Sequence, residues 1–473
     1  MIFALLLLFA VTANVASAQI FQTLLSFNGT TGGFPEYTTL VQGTDGHLYG
    51  TTWGGGKGFG NVFKITGTGT ATNIYNFCPQ TGCPDGSFPY GGVVQSLDGN
   101  LYGTTSAGGT GNVGTVFKIT PGGTLTTLYS FCAEAGCPDG SGPVAGLIQA
   151  TDGNFYGTTL IGGAANSGTV FKITPAGTLT TLYSFCALSG CADGLRPYGP
   201  LVQASDGNFY GTTIEGGSFG TVFKLTPGGI LTTLHTFNGS DGTSPRGSLI
   251  QSGNGSFYGT TGSGGPAGAG TVYKITPKGD LTTLYFFCSL SHCDDGEFPV
   301  TGLVQATNGF LYGTTQQGGG GSANGGLDGS GTIFEIDLKD TLTTLYSFCL
   351  QTGCLDGMYP SSPIVQATNG VLYGTTIYGG RIDYGTVFEL AVGLAPFVEA
   401  EPGSRQIGGA VSILGTKLTG ATSVSFNGTA ATFRVVSETE IKTTVPAGAT
   451  TGKIQVVTPS GVLSSNVAFR VSH

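Results

Sequence analysis

Residues 147–185 read LIQATDGNFYGTTLIGGAANSGTVFKITPAGTLTTLYSF, and the conformation of this stretch decides the fold. Four short runs rich in Val, Ile, Phe, Tyr and Thr follow one another: LIQA, FYGTT, GTVFKIT and LTTLYSF. None carries a helical period. Asp152-Gly153 lies between the first two runs. Glycine accepts a positive φ without a Cβ clash, so Asp-Gly between apolar runs signals a hairpin. Pro175-Ala176-Gly177 turns the third run into the fourth. The stretch reads as four antiparallel strands.

It also recurs. Its tyrosine marks seven copies, at Tyr49, Tyr102, Tyr156, Tyr210, Tyr258, Tyr312 and Tyr373, with length changes confined to loops such as the glycine-rich insertion near Gly318–Ser330. Four-stranded units repeated radially describe a β-propeller. The ends support a closed ring of seven blades. An outer-type strand, QTLLSF at residues 22–27, precedes the first unit, while the last unit, Ile364 through Leu390, lacks its own fourth strand. Borrowing the first segment completes it and removes the exposed sheet edge that an open β-solenoid would keep.

The YGTT…GG…GTVFKIT…TLYSF unit resembles the GloVer-type tandem repeat of secreted bacterial proteins, the "choice-of-anchor" family, over roughly residues 21–392. The resemblance implies export and supplies no catalytic residue. That family is named for varied C-terminal sorting tails, and no such tail is read here. After Leu394 the pattern changes. GTKLTGATSVSFNGTAATF and TTVPAGATTGKIQVVTPSG resemble the IPT/TIG immunoglobulin-like domain, a small β-sandwich that implies a spacer or adhesive module. The expected organisation is a leader at 1–18, a seven-bladed propeller at 19–394 and an immunoglobulin-like domain at 395–473.

Composition agrees with an exported all-β protein. Glycine is 86 of 473 residues and charged residues are 9%, yet 39% are hydrophobic, with 30 Phe and 19 Tyr, enough to build a core. A net charge of −9 argues against nucleic acid or an anionic membrane as partner. An apolar run from Ile2 to Val11 followed by Ala16-Ser17-Ala18 reads as a cleavable secretory signal. It is shorter than a membrane span, and no transmembrane segment is expected in the mature chain. The expected product is an extracytoplasmic monomer, secreted or held in the cell envelope, without a cofactor or metal.

The ten cysteines fall as Cys78/Cys83, Cys132/Cys137, Cys186/Cys191, Cys288/Cys293 and Cys349/Cys354, always in the same loop. The loops at 27–35 and 237–245 lack both members, so each couple behaves as one object. Two thiolates per loop and four histidines in all are too few for zinc sites, and no neighbouring cation tunes a redox thiolate. Five local disulfides are expected. The Asp-Gly next to each couple, retained at Asp241, reads as a turn in which the carboxylate bonds its own backbone.

Antiparallel order places the Asp-Gly and Pro-Gly turns on one face. The cysteine loops, the glycine-rich loops and the blade crossings lie on the other, where a binding site is expected. The candidates there are Trp53, Phe59, Tyr90, Arg196, Tyr198, Glu215, Arg246, Glu297, Tyr359, Tyr378, Arg381 and Asp383. Aromatic rings among a few charges suit stacking on sugars or gripping a peptide. The rival reading makes many of them filler around the central channel. The third-strand lysines (Lys64, Lys118, Lys172, Lys224, Lys274) become Glu335 and Glu389, which reads as a solvated position. The histidines read as surface or turn residues.

The sequence thus predicts a non-catalytic recognition or cell-envelope protein that binds a glycan or protein through its variable face. One alternative is a glycoside hydrolase-like enzyme using carboxylates such as Glu215 and Asp383. The other is a structural surface-layer component.

Overall fold

The computed structural model describes residues 19–320 and 329–472, so the expected leader at 1–18 lies outside the described residues. Seven four-stranded antiparallel blades form a ring. The first blade is Val41–Gln42, Leu48–Thr52, Asn61–Ile65 and Ala71–Asn76, and its innermost strand has only two residues. Blade 4 adds Leu195–Pro197 as a fifth strand. The seventh blade takes Val365–Gln366, Leu372–Thr376 and Thr386–Ala391, then recruits Ile20–Ser26 as its outer strand, pairing Ile20 with Ala391 and Ser26 with Thr386.

Aromatic side chains carry the closure into the core. The phenylalanine ending each outer strand meets the ring of the next blade's third strand edge-on or tilted. Phe77–Phe117, Phe131–Phe171, Phe185–Phe223, Phe237–Tyr273, Phe287–Phe334 and Phe348–Phe388 lie at 5.1, 5.2, 5.2, 5.3, 5.2 and 5.2 Å. Phe27 on Phe63, at 5.2 Å, completes the circle across the chain's two ends. Glutamines reinforce it near the channel: the Thr44 N–H donates to Gln95, and the Thr368 N–H in blade 7 donates to Gln42 in blade 1. The paired threonines of the repeat also have a task. Thr105 shares a buried hydrogen bond with Thr115 at 2.8 Å, and Gly86 lies so close over both hydroxyls that a side chain there would collide with them.

The third-strand lysines are not simply solvated. Lys172 bonds Asp152 at 2.9 Å beside Tyr156, whose hydroxyl donates to the same carboxylate at 2.9 Å. Lys224, Asp206 and Tyr210 repeat the arrangement. Burial would raise the Asp206 pKa, but the bonds from Lys224, Asn208 and Tyr210 prevail and hold it at about 2. Where the strand residue is Glu335 or Glu389, the hairpin residue is Asn308 or Asn369 instead. The amide donates to Tyr312 or Tyr373, and the tyrosine interacts with the glutamate. A phenol has one proton to give and can also accept, which suits one acidic and one donating partner; blade 5 departs from this, Asn254 donating to Tyr258 opposite Lys274.

Lys172→Glu alone should therefore cost about 1 kcal/mol, the partners being partly exposed. Adding Asp152→Asn should return most of that loss, as a double-mutant cycle by urea unfolding will show.

Residues from Glu399 onward form the sandwich. Glu399–Glu401, Ala410–Leu414, Glu440–Thr444 and Phe433–Val435 make one sheet; Ser423–Phe426, Thr429–Ala431, Ile454–Thr458 and Gly461–Ser464 make the other. Val398, Ile413, Ile441, Ile454 and Phe469 fill the space between them. This domain sits on the hairpin face. Thr439 bonds the Thr44 carbonyl at 2.8 Å, Arg470 that of Ala204 at 2.6 Å and Asn466 that of Gln305 at 2.7 Å, touching blades 1, 4 and 6. Among the described residues no helix is long and apolar enough to cross a membrane.

Candidate functional site

The opposite axial face is built by the blade crossings. Each crossing enters through a residue that precedes proline. At six of them that residue is not glycine yet has a left-handed backbone: Phe34, Phe88, Arg196, Ser244, Phe298 and Tyr359, with φ of 55°, 58°, 57°, 51°, 56° and 55°. Such a conformation costs a side-chain-bearing residue on the order of 1–3 kcal/mol. Bonds on both sides hold it. The Phe88 N–H donates to Phe59 of the preceding blade at 2.9 Å, and its carbonyl accepts from Ser106 at 3.0 Å. Phe34 does the same with Tyr384 and Trp53 at 2.9 and 3.0 Å.

Two residues further on, Glu36, Tyr90, Tyr198 and Arg246 stand around the channel mouth. The next position is small in the other crossings (Gly91, Ala145, Gly199, Gly247, Thr301, Ser362) but is Tyr37 in the first. The small residues let neighbouring crossings touch: a side chain on Gly91 would strike the backbone of Ala145 and Gly146. The channel is accordingly tight. Tyr37, with φ of 54°, reaches from blade 1 to the Tyr198 ring in blade 4 at 5.2 Å, edge to face, and closes the mouth.

Aromatic contacts continue outward from this plug. Tyr37 lies 6.4 Å from Tyr90, Trp53 lies 6.1 Å from Tyr90, and Trp53 stacks on Phe88 at 5.3 Å. The Arg246 guanidinium lies over the Tyr198 ring at 5.7 Å. Burial pushes the Glu36 carboxyl above the usual range, opposed by the charge of Arg246. Burial first, then Glu36 and Tyr37, raise Tyr90 to about 12. These groups are half-buried.

Of the residues singled out from sequence, Trp53, Tyr90, Tyr198 and Arg246 come together here. Tyr378 centres a second aromatic group, 6.2 Å from Tyr359 and 5.5 Å from Phe34. Phe59 packs into the core beside Phe88, as filler. Arg196 and Glu215 pair with each other at 2.8 Å, both about half exposed. Asp383 accepts the Gly379 N–H at 2.7 Å and shapes its own loop, while Arg381 is exposed. Glu215 and Asp383 stand on blades 4 and 7, three positions apart on the ring. Glu297 lies beside the Cys288–Cys293 pair, and those two sulfurs are bonded to each other.

All five couples, Cys78–Cys83, Cys132–Cys137, Cys186–Cys191, Cys288–Cys293 and Cys349–Cys354, are disulfides. The carboxylate just after each couple also captures the outer-strand tyrosine: Asp85 bonds Tyr75 at 2.9 Å and Cys78 N–H at 3.1 Å. His235 takes the tyrosine's place opposite Asp241 at 2.9 Å, so it is a structural partner and not merely a turn residue. Glu36 and Tyr37 are not singled out by the sequence alone. Aligning the x-Pro-x-small crossings exposes Tyr37 as the one large side chain in its column.

No protein of curated function matches the chain. Solved structures show the same fold at low identity. Two are extracellular domains assigned to hybrid two component systems of B. thetaiotaomicron. One is 10% identical with a TM-score of 0.53, the other 13% identical with a TM-score of 0.50. They cover 94% and 92% of this chain, which spans 58% and 54% of theirs. A fungal alcohol oxidase of the AA5 family, in complex with copper, is 12% identical with a TM-score of 0.51, over 97% of this chain and all of its own. At such identities the likeness is one of fold. The IPT/TIG domain is matched over residues 399–471. The Gloeobacter/Verrucomicrobia repeat is matched over residues 7–192 and 187–388, most of the sequence, and the chain belongs to that family.

Proposed function

We propose that the protein works outside the cytoplasm as a non-catalytic recognition module whose macromolecular ligand, a glycan or a protein, docks on the variable face. One observation carries the reading. The immunoglobulin-like domain occupies the hairpin face, and the opposite face gathers half-buried aromatic rings around a plugged channel. Half-buried aromatic clusters with few charges are typical of recognition surfaces. Five disulfides among the described residues favour an oxidising compartment. The extracellular domains that share the fold fit this placement.

Glycan and extracellular-protein arrays probed with the mature chain are expected to yield a ligand that Trp53→Ala weakens about 30-fold, the scale of an aromatic hot spot. Binding indifferent to Trp53 would remove the variable face as the site. A parallel hydrolysis screen addresses the enzyme alternative: product release lost in Glu215→Gln or Asp383→Asn would overturn the non-catalytic reading. A protein that binds nothing on either array would be a structural component.

A further inference from the structure

We infer that the channel mouth bounded by Glu36, Tyr37, Trp53, Tyr90, Tyr198 and Arg246 is a subsite for one neutral pyranose ring. The inference rests on the proposed use of the variable face and adds the chemistry of the ligand held there.

The argument starts from unused hydrogen-bonding capacity. Arg246 stacks on Tyr198, and Glu36 attracts it across the mouth without closing an ion pair. Among the described residues neither head group has a hydrogen-bond partner, so five N–H donors and two carboxylate oxygens are left for a guest. Both head groups are half-buried but still reach solvent at the mouth, so a guest can exchange their water for its own hydroxyls. A ligand hydroxyl satisfies both at once, accepting from Arg246 and donating to Glu36.

The opposed charges also select against charged guests. An anion meets Glu36 and a cation meets Arg246, whereas a neutral polyol meets neither penalty. The phenol hydroxyls of Tyr37, Tyr90 and Tyr198 add neutral donors and acceptors around the same opening; Tyr198 stays protonated because burial and the neighbouring Tyr37 raise its pKa. Trp53 and Tyr90, tilted by 47° to each other, supply flat apolar faces for the C–H side of a sugar ring. The guest rests on the mouth, since the cavity beneath it, lined by Tyr37, Tyr198 and Arg246, is too small to take a sugar ring.

Trp53 is the chain's single tryptophan, so its fluorescence reports on this spot alone. Methyl glucoside, methyl galactoside and methyl mannoside, with glucuronate and leucine as an anion and a zwitterion, are titrated into the mature protein to about 100 mM, the range of weak single-ring binding. At least one neutral glycoside should shift Trp53 emission saturably. Glu36→Gln and Arg246→Lys, both conservative in size, should each weaken it about tenfold, one hydrogen-bonded charge apiece. Three results overturn the inference: no glycoside response, a response unchanged in both variants, or a stronger response to glucuronate or leucine. Array binding of a protein ligand that still depends on Trp53 would leave the variable-face reading standing while this inference falls. Array binding that ignores Trp53 would end both.

Discussion

A chain lacking residues 19–27 is expected to lose the cooperative melting of the propeller, or to melt lower by about 10 °C or more. The segment supplies the whole outer strand of blade 7, in register with Thr386–Ala391. It also brings two rings into the core. Phe21 stacks on Tyr346 at 3.8 Å and touches Phe348 and Phe388, each at 5.7 Å; Phe27 is fully buried against Phe63. Losing the buried Phe27 costs about 3–5 kcal/mol, and with the partly buried Phe21 and the strand's ladder bonds the loss approaches the whole stability of an ordinary domain. The cut would further leave an unpaired edge on blade 7, a template for aggregation. Calorimetry of chains beginning at residue 28 and at residue 19 checks this, and adding residues 19–27 as a synthetic peptide should restore part of the transition. Identical melting curves would show that the circle is held shut by something else.

The features legible in the sequence are those that repeat. Seven tyrosines, seven Asp-Gly or Asn-Gly-type hairpins and complementary half-units at the two ends suffice for blade number, strand order and closure, because each is a local signal averaged over copies. The site is legible only in part. Trp53, Tyr90, Tyr198 and Arg246 stand out as large side chains in variable loops, but their convergence depends on crossings from blades far apart in sequence. Glu36 and Tyr37 sit in a loop that looks defective because it lacks cysteines, although its function lies in the residues just beyond its proline. The lysine-to-glutamate reversals mislead for a related reason. Each accompanies a change in the hairpin, where Asp becomes Asn, and only the register of Tyr156 against Lys172 brings the hairpin residue, the phenol and the third strand together. The seating of the sandwich on the hairpin face has no readable signal, since Arg470, Asn466 and Thr439 bond backbone carbonyls, which every sequence offers.

The disulfide loops give the second large effect, and it does not come from the disulfides. Asp193→Ala is expected to cost about 3 kcal/mol, more than the roughly 2 kcal/mol assigned to losing the Cys186–Cys191 bond by double serine substitution. A five-residue closure removes little entropy from the unfolded chain. The Asp193 carboxylate, by contrast, is wholly buried and accepts three bonds: from the Tyr183 hydroxyl at 2.8 Å, the Ala187 N–H at 2.9 Å and the Leu188 N–H at 3.1 Å. Alanine leaves all three donors facing a void. Asparagine should rescue little, because its amide turns a donor toward donors, while Tyr183→Phe should cost only about 1 kcal/mol.

The chain's own copies argue the same order of importance. Where cysteines are absent at 237–245, the carboxylate remains as Asp241 with His235 opposite. Where the carboxylate is replaced, by Thr31, its phenol partner is gone too, the equivalent position being Leu25. Acid and ring are kept or lost as a unit, and the sulfurs come and go independently of them. Urea unfolding of the three variants beside the double serine protein decides it. A double serine variant less stable than Asp193→Ala would return the loop to its covalent staple.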